Sequence, residues 1–125
     1  MVSQKKLLVV DDNPFIIAMI RPIFEDAGFE VFAASSGQEC LDFLKKEQFE
    51  GVILMDLMMP VMDGWETIGE IVKQGLDKNT VISVLSAKDV PEEKPETMKY
   101  IADYFTKPYD NKEIVKKINS YFVYD

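Results

Sequence analysis

The chain has 125 residues, 47% of them hydrophobic and 29% charged, which suits one folded domain with a core and argues against disorder. A net charge of −8 and a single arginine, Arg21, argue against direct binding to a nucleic-acid backbone. The absence of histidine excludes Ser-His-Asp catalysis and His-ligated zinc, and Cys40, the one cysteine, cannot form an internal disulfide.

In chain order, KLLVV (6–10) reads as a first strand, followed by Asp11 and Asp12. A first helix over about 14–27 opens on Asn13-Pro14, a cap and then a proline at the first helical position, and stops at Gly28. Pro22 inside it removes a backbone bond and predicts a kink, with no functional account. FEVFA (29–33) is a second strand, and about 36–47 a second helix with Cys40, Leu41 and Leu44 on one face. Core filling is the expected role of that cysteine.

GVILM (51–55) is a third strand that runs straight into Asp56, followed by a methionine-rich loop and a third helix over about 64–74. Met59 and Met62 are expected to pack beneath that loop, and Trp65 on the third helix near it. TVISVL (80–85) is a fourth strand with Ser86 after it, and a fourth helix falls within 91–101, shortened or made irregular by Pro91 and Pro95. DYFT (103–106) is a fifth strand, followed by Lys107-Pro108 and a fifth helix over about 110–122. Lys112, Lys116 and Lys117 read as its solvated face, and the terminal SYFVYD as either its packing end or a small interaction patch.

The interior strands lack polar alternation, as expected of parallel strands covered on both faces. Five β-α units in strict alternation predict an α/β fold with a parallel sheet, right-handed crossovers and helices on both sides. Ligands of such sheets bind beyond the carboxyl ends of the strands. Asp11, Asp12, Asp56, Ser86 and Lys107 all follow strands and so gather at that edge.

Each has an ordinary explanation alone: Asp12 or Asn13 as a helix cap, Asp56 or Ser86 as a turn or loop residue, Lys107 as a solvated lysine. Together they are harder to dismiss, because three neighbouring carboxylates repel one another unless a cation sits among them. A hard divalent ion such as Mg²⁺ suits these oxygen ligands, and Lys107 offers a second positive charge. Asp56 is thereby a candidate carboxylate nucleophile for phosphoryl transfer, a chemistry of positioning and charge neutralisation.

The blocks VVDDN (9–13), MDLMMPVMDG (55–64), LSAK (85–88) and FTKP (105–108), in this order and spacing, resemble the receiver domains of two-component response regulators, chemotaxis regulators among them. The resemblance covers essentially the full length and implies a doubly wound, flavodoxin-like sheet of order 2-1-3-4-5 with five helices. It implies that Asp56 is the phosphoacceptor and that Asp11, Asp12, Asp56 and the Met58 backbone carbonyl bind Mg²⁺, for which Mn²⁺ can substitute. Ser86, the Ala87 backbone N–H and Lys107 would contact the phosphoryl group, across a cis Lys107–Pro108 peptide. Pro60 and Gly64 would shape the acceptor loop, and Ser86 and Tyr104 would be the switch residues. Met58 and Lys88 occupy the positions that tune dephosphorylation; Met58 cannot orient a water molecule, which predicts a long-lived phosphoryl group, and Lys88 adds positive charge beside it.

Tyr100-Ile101 replace the Gly-Ala pair usual in the family, which predicts a different end to the fourth helix. The expected function is a cytoplasmic phosphorelay switch, residues 1–125 forming one receiver domain, either stand-alone or part of a larger regulator or hybrid kinase. It would be phosphorylated by a sensor histidine kinase or a histidine phosphotransfer protein, catalysing only its own phosphorylation and dephosphorylation. Its effector would dock on the helix 4–strand 5–helix 5 face, without nucleic-acid contact or membrane insertion.

Three alternatives use a related framework. A receiver-like scaffold would never be phosphorylated. A metal-dependent phosphatase with an aspartyl nucleophile wants a second carboxylate where Met58 stands. A flavin-binding module wants a glycine- and hydroxyl-rich loop after the first strand, where Asp11-Asp12 would repel a phosphate.

Overall fold

Hydrocarbon runs with both faces to bury become the strands of one sheet. In the computed structural model, which describes residues 5–87, 95–106 and 109–122, these are β1 (Lys6–Val10), β2 (Glu30–Ala34), β3 (Gly51–Met55), β4 (Thr80–Ser86) and β5 (Ile101–Thr106). All pair in parallel in the order β2-β1-β3-β4-β5.

The α-helices are α1 (Pro14–Asp26), α2 (Gly37–Glu47), α3 (Gly64–Lys73) and α4 (Asn111–Asn119). Each starts on a side chain that takes up an orphan N–H of the first turn: Asn13, Ser36, Asp63 and Asp110. In α3 this is a capping box, with Glu66 reaching back to the Asp63 N–H. Gly28, at φ +89, ends the turn after α1 as expected, and Pro22 lies inside α1 on its exposed side.

Alternate strand residues feed two cores. Leu8, Val10, Ile53, Met55, Ile82 and Val84 pack under α2 and α3, together with Cys40, Leu41, Leu44, Ile68 and Ile71. Leu7, Val9, Val52, Leu54 and Leu85 pack on the opposite face against Ile20 and Phe24 of α1 and Ile114 and Ile118 of α4. The pure hydrocarbon of β1 and β3 is thus explained, since neither face of either strand meets water. Cys40 is buried, and burial pushes its thiol up to about 12, which leaves it inert core filler.

The fourth expected helix differs. Among the described residues its span holds only a 3₁₀ turn, Glu96–Tyr100, and the chain is already strand at Ile101. Pro95 supplies no side-chain cap, and five residues leave no room for an α-helix before β5 begins. The described residues therefore contain four α-helices rather than five, and the fifth expected helix is α4, which ends at Asn119 and tightens into a 3₁₀ turn over Ser120–Phe122. Pro91 and the rest of 88–94 lie outside the described residues.

Candidate phosphoacceptor site

Register places the acidic residues together. Val10 of β1 is paired with Met55 of β3, so Asp11 and Asp56 leave adjacent strand ends. Backbone bonds extend the pairing by one step on each side, Asp56 N–H to the Val10 carbonyl (2.9 Å) and Asp11 N–H to the Ala34 carbonyl (3.1 Å). One carboxylate oxygen from each of Asp11, Asp12 and Asp56 lies within 4.8 Å of the others. Asp11 is buried, Asp56 half-buried and Asp12 exposed, so the cluster opens to solvent on one side.

Local bonds orient these groups. Asp11 Oδ1 accepts from the Asn13 N–H at 2.9 Å, and Asp56 Oδ1 accepts from the Met58 N–H at 3.2 Å. Burial, above all, raises Asp56 to about 6; the Met58 N–H opposes it, while the charges of Asp11 and Asp12 and a hydrogen bond with the Asp11 carboxyl push further upward. The donor set is all hard oxygen and its unfavourable charge is local, so it fits a divalent ion such as Mg²⁺.

Ser86 ends β4 as its last strand residue, 0% exposed, paired with Thr106 of β5; Ala87, the next residue, is exposed. Ser86 is thus inside the strand rather than after it, because the ladder with β5 continues to Thr106. Tyr104 is half-buried on the α3 side of β5, where its ring lies 6.4 Å from that of Trp65. Lys88, Lys107 and Pro108, with the expected cis peptide, lie outside the described residues.

The acceptor loop is held from below. A Cβ on Gly64 would stand 2.4 Å from the Asp56 carbonyl oxygen and 2.7 Å from Leu57 Cα, so only glycine lets α3 begin this close to the acceptor. The Gly64 N–H also bonds the Leu57 carbonyl at 3.0 Å. Met59 is buried and Met62 packs on the same core, as expected, while Met58 is 54% exposed. Val61 adopts φ 69, an uncommon strain for a β-branched residue, at the exposed tip of this loop.

Some features were not foreseen. Tyr109 sits within electrostatic range of Asp56 and Asp11; burial first, and then those charges, raise its phenol. Phe15, in the first turn of α1, is 80% exposed. Ser83, Tyr121 and Asp103 form a hydrogen-bonded set on the α4 side of the sheet, so Tyr121 and Phe122 of the aromatic end pack inward: Tyr121 bonds Ser83 at 2.8 Å and donates to Asp103, and Phe122 packs edge-on against Phe29, while residues 123–125 lie outside the described residues. For Tyr109 the only sequence signal was its place just after Lys107-Pro108; for Ser83–Tyr121 there was none.

Residues 7–119 match the family model described as the response regulator receiver domain. The chain is 35% identical over 117 residues to the chemotaxis protein CheY of Thermotoga maritima, covering 92% of this chain and 95% of that protein. It is 33% identical over 117 residues to the alkaline phosphatase synthesis transcriptional regulatory protein PhoP of Bacillus subtilis, covering 93% of this chain but 48% of that one, so it spans about half the regulator's length. Among solved structures it is similar to a CheY-like receiver domain protein from Methanospirillum hungatei, with TM-score 0.87, 39% identity, and 96% and 95% of the two chains covered. The response regulator TrrA of Thermotoga maritima, solved in complex with Mg²⁺-BeF, gives TM-score 0.80 at 27% identity, with 93% and 97% covered. With this sheet order and this acidic cluster at its carboxyl edge, the chain belongs to the response regulator receiver domain family of two-component systems.

Proposed function

We propose that residues 1–125 form a single receiver domain that works as a phosphorelay switch, with Asp56 as the acceptor of a phosphoryl group. The observation that carries this reading is the cluster of Asp11, Asp12 and Asp56 at the ends of β1 and β3, with Asp56 raised to about 6 by burial and by its acidic neighbours. The donor is a phosphohistidine on a sensor histidine kinase or a phosphotransfer protein, since the chain has no histidine of its own. A carboxylate oxygen of Asp56 attacks the phosphorus, and the O–P bond forms as the donor's N–P bond breaks. The donor nitrogen keeps the bonding pair and takes a proton.

Asp11, Asp12, Asp56 and the Met58 carbonyl would hold Mg²⁺, or Mn²⁺ in its place. Such an ion, when bound, neutralises charge on the carboxylates and the phosphoryl oxygens. The chain's own residues supply the rest. The Met58 N–H orients Asp56, and the Ser86 hydroxyl, the Ala87 N–H and Lys107 receive the phosphoryl oxygens. Ser86 moving toward the new charge and Tyr104 turning inward would shift the surface made by 96–100, β5 and α4, where a downstream effector docks. The chain catalyses only its own phosphorylation and dephosphorylation, and Met58 and Lys88 set the lifetime. The phosphatase alternative lacks support at Met58, whose exposed thioether stands where that chemistry wants a carboxylate. Among the described residues no helix is long and apolar enough to cross a membrane, and a cytoplasmic location is part of the proposal.

The test is incubation with acetyl phosphate, with and without Mg²⁺, and with beryllofluoride as a mimic. Label should enter the parent in the presence of the ion and be absent from Asp56→Asn. Label retained in that variant refutes the assignment.

A further inference from the structure

Trp65, the chain's only tryptophan, is placed by the acceptor loop. It follows Gly64, where an added Cβ would collide with the Asp56 carbonyl oxygen and Leu57, and it precedes Glu66, whose backbone N–H bonds the Asp63 side chain at 2.8 Å while its own carboxylate accepts from the Asp63 N–H at 3.2 Å. The first turn of α3 therefore cannot shift without moving the acceptor backbone or breaking the capping box. On the far side, the Trp65 ring meets Tyr104, with centroids 6.4 Å apart and planes at 32°. Both rings are half-buried against the same core, and the Tyr104 backbone is held in register with Val84. Trp65 is thus one of the surfaces on which the Tyr104 ring rests.

Resting on the proposed switch function, we infer that Trp65 is a positioning residue that holds Tyr104 in the position seen here and opposes its rotation out of that position. The pair falls in the range where aromatic rings attract beyond simple burial. A contact made in one state and lost in the other biases the equilibrium by its differential free energy, and a ligand that favours the rotated state binds more weakly by the same factor. Trp65 thus sets how much of the phosphoryl-binding energy is spent before the output surface changes.

The experiment measures beryllofluoride affinity in Mg²⁺ by ¹⁹F NMR for the parent, Trp65→Leu, Tyr104→Leu and the double variant, with acetyl phosphate labelling run alongside. Trp65→Leu should tighten the mimic about two- to tenfold, the size expected of one aromatic pair. In the Tyr104→Leu background the same change should shift affinity by less than about twofold, because its partner is gone. Trp65→Phe should fall between parent and Leu, and it serves if the Leu variant does not fold. In the parent, Trp65 emission should change on adding the mimic, and Tyr104→Leu should abolish that change. Affinity that is unchanged or weaker in Trp65→Leu, or shifted equally in both backgrounds, overturns the inference while labelling still supports the switch. If the parent neither labels nor binds the mimic, the function fails and the inference falls with it.

Discussion

The carboxyl groups of Asp11 and Asp56 come together across the ends of two paired strands, β1 and β3, with an oxygen of each within 4.8 Å of the other and of Asp12. A sheet built to bury hydrocarbon on both faces thereby ends in three clustered carboxylates that repel one another. The conflict is local, and it makes the folded protein's stability depend on the protonation of Asp56.

Folding raises Asp56 from 3.8 to about 6, so the native state binds this proton more tightly than the unfolded chain. The stabilisation is full below the unfolded value and is lost as pH rises through the folded one. Thermal melts in EDTA should show Asp56→Asn more stable than the parent at pH 7.5 by about 1–2 kcal/mol, a figure reduced for solvent screening. At about pH 3.5 the gain should vanish. A gain equal at both pH values would contradict the charge argument. Mg²⁺ at pH 7.5 should stabilise the parent more than the variant.

Two glycines of α3 should respond in opposite directions. Gly64→Ala drives a methyl into the Asp56 carbonyl oxygen and Leu57 Cα, at 2.4 and 2.7 Å, and backbone cannot yield as a side chain does. A loss of about 1–3 kcal/mol is expected in urea unfolding, with slower labelling of Asp56. Gly69→Ala meets only Thr97 Cγ2 at 3.7 Å and should gain about 0.5–1 kcal/mol from helix propensity. Equal effects at the two positions would show that the close approach at Gly64 is unimportant.

The Tyr121 hydroxyl joins Ser83, fully buried on β4, to Asp103 on β5, with Lys117 Nζ 3.9 Å from the same carboxylate. Tyr121→Phe should cost about 1–3 kcal/mol by denaturant titration, because it strips a partner from a buried hydroxyl. Burial, and then the bond to Asp103, raise the phenol above its usual 10.0. The unfolded chain therefore loses this proton first, and parent stability should fall as pH rises above about 10. A Phe variant that shows the same alkaline decline would assign it to another group.

Met58 offers an exposed thioether two residues from the acceptor and cannot aim a water molecule at phosphorus. With Asp56 phosphorylated as proposed, Met58→Asn should shorten the acyl-phosphate lifetime several-fold in a decay assay without a phosphatase. A parent that decays as fast as the variant would remove Met58 from any role in timing.

The acceptor edge was legible in the chain because its parts are local. A hydrocarbon run followed at once by a carboxylate marks a buried parallel strand and its carboxyl end, and this occurs at Val10-Asp11 and Met55-Asp56. Caps at Asn13 and Asp63 and the stop at Gly28 are equally local, since each acts within one helical turn. The strand order and the residue roles came from resemblance, and the structure bears out the order.

Pairings across the sheet were not legible, because they depend on register and on the face each residue takes. A register shift between Ile82 and Ser83 sets Asp103 opposite Ser83, which brings both to Tyr121 on one side and turns Tyr104 toward Trp65 on the other. The shortened segment before β5 was half-visible in Pro95, but its end at Tyr100 follows from where the sheet takes up Ile101. Alternation along the chain determined which residues could be buried; only packing of α3 and α4 against the two faces decided which side chains would meet.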